Sequence, residues 1–224
     1  MNAYLPLPLT ACVASAMLTI AVLGRDGGHR ANRIAAALTL GATVWSFCEV
    51  LWNSSHDPER VLTLVRLSSI GWVAMGPLGL HLFVELIGMR DSRVERLMPW
   101  LYGASGLFLA VTLATDWMHT AVMPTSWGWG YEFGPAYPPF WLFTTLCLSA
   151  GLALAARHLR SEGPSPAEQA QAKWVAVGVM VPLLMASMTD GVLPMFHVQV
   201  PRLGTASFTV LGATVLWSFW RYGY

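Results

Sequence analysis

Apolar residues fall into seven long runs along the chain, separated by connections that carry most of the charge. The runs are Tyr4–Gly24, Asn32–Asn53, Val61–Met89, Leu97–Thr115, Phe140–Ala156, Lys173–Leu193 and Leu203–Arg221. A helix rises about 1.5 Å per residue, so about 20 apolar residues cross a hydrocarbon core. The pattern predicts an all-α integral membrane protein, a seven-helix bundle formed as one domain by residues 1–224. One connection is long. Asp116–Pro139 is rich in Gly, Pro and aromatic residues, which excludes a regular helix. A hairpin or lid over the bundle mouth explains that content, and so does a segment resting at the lipid interface.

The third run is the least uniform. It holds Arg66, His81 and Glu85 at membrane depth, and Gly71, Gly76, Pro77 and Gly79 between them. Ionisable groups at such depth are costly and usually face a bundle interior or a cavity. Pro77 here, and Pro182 in the sixth run, interrupt helical hydrogen bonding and are candidate hinges; a static kink is the plainer alternative.

The placement of basic residues gives the orientation. Arg25, Arg30 and Arg33 lie in or beside the first connection, Arg90, Arg93 and Arg96 in the third, and Arg157, Arg160 and Lys173 in or beside the fifth, with Arg221 at the end. The opposite side has Arg60 and Arg202, and its long loop has no Lys or Arg. By the positive-inside rule the N-terminus is outside and the C-terminus cytoplasmic. The protein is expected to cross its membrane several times. Aromatic belts are expected at the outer boundary (Tyr4, Trp52, Trp117, Trp127, Trp129, Tyr131, Tyr137, Trp141) and the inner one (Trp217, Trp220, Tyr222, Tyr224).

Depth along the helices brings Glu49 and Arg66 to the same level, near the outer ends of consecutive helices, where an ion pair would neutralise both. Asp190 and Arg202 lie at similar depth. With Trp129, Tyr131 and Trp141 from the outer loop and its edge, these four are the candidate ligand-binding residues; the alternative is that they only lock helices two, three, six and seven together. His81 and Glu85 share a helix face at i, i+4 and form an inner polar pair. They suit a proton relay, or a structural pair in which Glu85 snorkels or binds Arg90 or another inner basic residue.

Charged residues are 11% of the chain and hydrophobic ones 55%, against about 25% charged in soluble domains. Nothing indicates a nucleic-acid partner. Cys12, Cys48 and Cys147 sit in apolar runs with no metal or disulfide spacing. His81 lies near the inner side and His119 and His197 outside, so no haem pair forms. The single lysine, Lys173, is at the cytoplasmic end of helix six. The last helix therefore has no lysine for a retinal Schiff base, and no cofactor is expected. No nucleotide, protease or hydrolase motif is present, and the cytoplasmic loops are too short for a catalytic domain. The chain is expected not to be an enzyme.

The run GWGYEFGPAYPPFWLF, the step from Asp190 to Pro194, the approach Pro201–Leu203–Gly204 and the exit Trp220–Arg221–Tyr222 resemble the seven-transmembrane N-terminal sensor module of bacterial histidine kinases. Such modules also precede diguanylate cyclases. The resemblance implies a two-component sensory receptor of a bacterial inner membrane that passes a stimulus through helix seven to a cytoplasmic output domain, such as a histidine kinase, as one module of a longer chain. The expected partners are the lipid bilayer, a small or amphipathic ligand and that output domain, with a homodimer compatible. The competing reading from the residues is a small transporter or proton-coupled channel using Glu49, Asp190, His81 and Glu85; a third is an assembly partner.

Overall fold

The computed structural model describes residues 4–89, 92–161, 164–198 and 200–222. The elements are α1 (Pro6–Asp26), α2 (Arg30–Asn53), α3 (Pro58–Leu67), α4 (Ser69–Trp72), α5 (Met75–Leu86) and α6 (Arg93–Ala114). A hairpin of β1 (His119–Thr125) and β2 (Gly128–Phe133) follows, then α7 (Tyr137–Leu159), α8 (Pro166–Ala186), a π-helical turn (Ser187–Val192), α9 (Leu193–Met195) and α10 (Gly204–Tyr222). Helices α3 to α5 together make the third span, and α8, the π-helical turn and α9 make the sixth. Among the described residues, six spans are long and apolar enough to cross a membrane. The seventh, α10, is 19 residues long and carries more Gly, Thr and Ser. It packs against α1 and α8 as a member of the bundle. The expected roles of Arg90 and Tyr224, and part of the fifth connection (Glu162 and Gly163), lie outside the described residues.

The first, second, third, fifth, sixth and seventh spans close a ring, each packed on the next, and the fourth lies outside it against the third. Only 17% of the fourth span's apolar window is buried in protein. Its inward apolar contacts include Met98, buried with Leu80, Val84 and Cys147, and Phe108, which meets the rings of Phe140 and Phe143.

Helix starts are set by capping side chains. Asp57 accepts from Glu59 N at 3.1 Å and Ser92 from Glu95 N at 3.1 Å. Ser165 and Glu168 form a reciprocal capping box, with Ser165 N donating to Glu168 Oε2 at 2.7 Å. The sixth helix therefore begins at Pro166, a full two turns before the expected Lys173.

The third span is broken at Ser68 and at Val73–Ala74. The expected break around Pro77 is displaced one turn upstream, because Pro77 sits in the first turn of α5, where a missing N–H is tolerated. Val73 loses the hydrogen bond that residue 77 would have given. Ser105 Oγ of α6 donates to its carbonyl at 3.3 Å instead. Neighbouring helices re-satisfying a proline-freed carbonyl is what membrane depth demands.

Close packing of small residues holds the second and third spans. A Cβ on Gly71 would lie 2.8 Å from Trp45 N and closer still to the Gly41 carbonyl. Without a hydrophobic drive between helices in lipid, such approach supplies the contact energy. Gly71→Ala is expected to lower stability by ~1–3 kcal/mol through overpacking. Gly103→Ala, which meets nothing within 4 Å, should be neutral or stabilising by ~0.5–1 kcal/mol. Denaturant or thermal unfolding in detergent checks both.

Candidate functional site

The outer half of the sixth span is shaped by Pro194. It has no N–H for the carbonyl of Asp190, four residues before it, and the chain widens there into the π-helical turn. The freed carbonyl accepts the Tyr137 hydroxyl at 2.6 Å and Arg202 Nη1 at 3.3 Å. The turn also directs Asp190 inward, where its carboxylate accepts Thr189 Oγ1 at 2.7 Å and is buried.

Arg202, at the start of the seventh span, is 4% exposed. Its guanidinium lies 3.7 Å over the ring of Tyr131 and 5.3 Å from that of Phe133, and Nη2 donates to the Tyr131 carbonyl at 3.3 Å. Glu49 is 2% exposed. It accepts Tyr4 OH at 2.7 Å and Thr205 Oγ1 at 2.9 Å. Tyr4 OH also contacts the Arg202 carbonyl. Four elements thus meet in one polar knot: Tyr4 ahead of the first span, the second span, the sixth and the approach to the seventh.

Arg66 is not part of it. The expected Glu49–Arg66 pair does not form: Arg66 Nη2 pairs with Asp116 and reaches the His119 carbonyl at 3.4 Å. Its rotation about the third span points it to the exposed base of the hairpin, while Glu49 points into the bundle.

The long outer loop is a two-stranded antiparallel hairpin with Val122 opposite Tyr131 and Thr125 opposite Gly128. It is fastened at three places. Trp129 donates from its indole to the Ser55 carbonyl at 2.9 Å and from its backbone to Asn53 Oδ1 at 3.3 Å. Arg66 holds the first strand and Arg202 the second. Phe133 stacks on Tyr137 at 3.5 Å between centroids. Tyr4, Trp52, Tyr131 and Tyr137, expected at the lipid interface, are buried in protein instead; Trp117 is 61% exposed, as an interfacial residue would be.

Beneath the hairpin lies a cavity of about 80 Å³. Trp45, Trp72, Tyr131, Tyr137, Phe140 and Trp141 give it aromatic walls, and Asp190, Pro182 and Phe208 bring in the sixth and seventh spans. Of the expected ligand-binding residues, Tyr131, Trp141 and Asp190 line it. Glu49 and Arg202 support it from the adjoining knot, and Trp129 anchors its cover. His119, Trp45, Trp72, Thr144, Tyr4 and Thr205 were not expected there. A polar Thr144 facing the Gly76 turn of the third span is visible only in three dimensions.

His119 is 1% exposed, with its ring against Trp72 and Tyr131. Burial, and then the nearby guanidinium groups of Arg202 and Arg66, push its pKa from 6.5 down to about 3. The imidazole is neutral at pH 7.

At the cytoplasmic end, Glu85 does not snorkel. Its side chain is 0% exposed and pairs with Arg30 at 3.1 Å, which also holds Glu95 at 3.1 Å. His81 Nδ1 and Tyr102 OH are 3.0 Å apart. The ligand atoms of His81, Glu85 and Glu95 come within 4.8 Å of one another, so these are the residues that could converge on a cation. Arg30 already supplies the positive charge to both carboxylates.

The chain matches the family described as the N-terminal 7TM region of histidine kinase over residues 7–224. It belongs to that family. The match covers the bundle from the first span through the seventh, so the seven-span assignment and the sensor resemblance hold. The histidine-kinase 7TM region is a non-catalytic, multi-pass sensory module, and the family implies a cytoplasmic kinase part. No curated protein matches the chain.

Two measurements bear on the site. Removing the buried cation with Arg202→Met strands Asp190 and Glu49 and should cost ~3–5 kcal/mol of unfolding free energy. His119 has its folded pKa below its unfolded one, so its contribution is complete above pH 6.5 and is lost as pH falls toward 3. That loss approaches ~1.4 kcal/mol per pH unit. In unfolding melts between pH 7 and 4, His119→Phe should show a correspondingly shallower decline than the parent.

Proposed function

We propose that this module detects a small molecule or membrane-borne stimulus in the cavity beneath the hairpin and relays it through the last helix to a cytoplasmic histidine-kinase output region. It works in a bacterial cytoplasmic membrane and without a cofactor. The observation that carries this reading is the composition of the cavity wall. Asp190 in the π-helical turn and Phe208 of the last helix both line it, and Arg202, two residues ahead of that helix, is bonded to the Asp190 carbonyl. A guest that displaces the wall therefore acts on the packing of the sixth and seventh spans. A signal that crosses a membrane without chemistry must be such a change in packing.

The transporter alternative asks for polar groups along the whole crossing. Between the outer knot and His81, α5 contributes Met75 and Leu80, both buried and apolar.

The test joins residue 224 to a histidine-kinase catalytic region and measures autophosphorylation in inverted vesicles. Filling the cavity with Ser187→Phe should change kinase output at least threefold, and Gly103→Ala, outside the ring, should not. Unchanged output with Ser187→Phe would sink the proposal, as would useful rates of solute or proton flux through the reconstituted chain.

A further inference from the structure

The cavity walls are aromatic, yet three polar atoms on lining residues are buried and make no hydrogen bond within the protein. They are His119 Nδ1, Trp141 Nε1 and Thr144 Oγ1. An unpaired buried polar atom is costly, and each such atom asks for a partner. The indole is a donor only, the hydroxyl donates or accepts, and the imidazole nitrogen does one or the other according to tautomer. All three residues line the same cavity, so a guest oxygen that can accept and, as a hydroxyl, also donate would find partners in its wall.

The site does not favour a charged guest. His119 is neutral, and the two guanidinium groups near it are engaged: Arg66 with Asp116, Arg202 with the Asp190 and Tyr131 carbonyls. A carboxylate or phosphate inside the cavity has no free cation to meet. An aromatic box with Asp190 in its wall would suit an ammonium. Against that, Arg202 already lies over the face of Tyr131, Thr189 bonds the Asp190 carboxylate, and an ammonium offers nothing to the indole N–H.

Access is lateral. The roof residues His119, Tyr131 and Tyr137 are buried. Thr144, Thr145, Ala186 and Ser187, on the fifth and sixth spans, are half-buried. Leu146 and Met188 beside them are exposed on the lipid-facing surface. A volume of about 80 Å³ equals about three waters of liquid, enough for a polar head and two or three carbons.

We infer that the cavity takes the head of a small uncharged amphiphile, a hydroxyl or carbonyl oxygen held by Trp141, Thr144 and His119, with its alkyl tail leaving between the fifth and sixth spans into the bilayer. This names the class of stimulus and rests on the sensory reading above. The head is selected by hydrogen bonding and the absence of charge, and the tail is tolerated because it trails into lipid.

The test is photolabelling of the chain in lipid nanodiscs with an octanol that carries a diazirine near its hydroxyl, read by peptide mass spectrometry. Labelling should concentrate on residues of the fifth and sixth spans that line the cavity. Octan-1-ol should compete it at least fivefold, and octylammonium and octanoate should not. Thr144→Val, which keeps the shape and removes the hydroxyl, should weaken it at least fivefold, and so should Ser187→Phe. Labelling spread over lipid-facing residues and unmoved by octan-1-ol would overturn the inference. Equal competition by either ion, or an undiminished Thr144→Val signal, would do the same. The kinase assay separates the two claims. Specific labelling with an output that ignores Ser187→Phe removes the sensory reading and keeps the site. An output that responds, with no specific labelling, keeps the sensory reading and removes this ligand class.

Discussion

The guanidinium of Arg202 is buried where water cannot reach it, and the outer half of the molecule is arranged to meet that cost. A cation in a low-dielectric interior needs opposite charge, hydrogen-bond acceptors and polarisable surface around it. Here these come from separate parts of the chain. Asp190 and its carbonyl belong to the sixth span, Glu49 to the second, and the ring and carbonyl of Tyr131 to the hairpin. Because Arg202 lies just ahead of the seventh span, satisfying it fixes four elements relative to one another. Pro194 contributes by what it lacks: without its N–H, the Asp190 carbonyl is free to turn toward Arg202 and Tyr137.

The cytoplasmic end repeats the device with other residues. Arg30, at the first residue of the second helix, joins Glu85 of the third span to Glu95 of the fourth. The second span is therefore clamped at both ends, through Glu49 outside and Arg30 inside. Between them its contact with the third span is made by the Gly41–Gly71 approach, which has no slack for a side chain. The second and third spans form the rigid side of the ring. The sixth span, with its internal proline, π-helical turn and second proline, is the deformable side.

Much of this was legible in the chain. Apolar run length sets the number of spans, and the Arg-rich connections set their direction. The Asp190-to-Pro194 step carried both the family resemblance and the centre of the outer knot. Depth was legible too: Glu49, Asp190 and Arg202 do meet near the outer ends of their helices. Facing was not. Position along a helix gives height at about 1.5 Å per residue, but each residue also turns about 100°, and the breaks at Ser68 and Val73–Ala74 rotate the upper third span by an amount no sequence pattern shows. Arg66 therefore shares a level with Glu49 without sharing a face. The hairpin aromatics failed for a related reason, since a Tyr at an interface and a Tyr sealing a cavity look alike in sequence. The early start of the sixth helix was readable in Ser165–Pro166–Ala167–Glu168, a capping box hidden because the turns after it are polar rather than apolar.

On the sensory reading proposed above, the contrast between a rigid and a deformable side would give the module a direction of response. Phe208 lies six residues past Arg202, so it sits under two turns below the knot, on the same helix that leaves toward the cytoplasm. The knot holds the top of that helix by the Asp190 carbonyl and the Thr189 hydroxyl of the π-helical turn rather than by a rigid α-helical backbone. A π-helical turn can return toward α-helical pitch by shifting one residue's hydrogen bond, which rotates everything beyond it. Pressure on the cavity wall at Ser187 or Asp190 is therefore relieved at lower cost by moving the sixth and seventh spans than by parting the second from the third, where two backbones already touch.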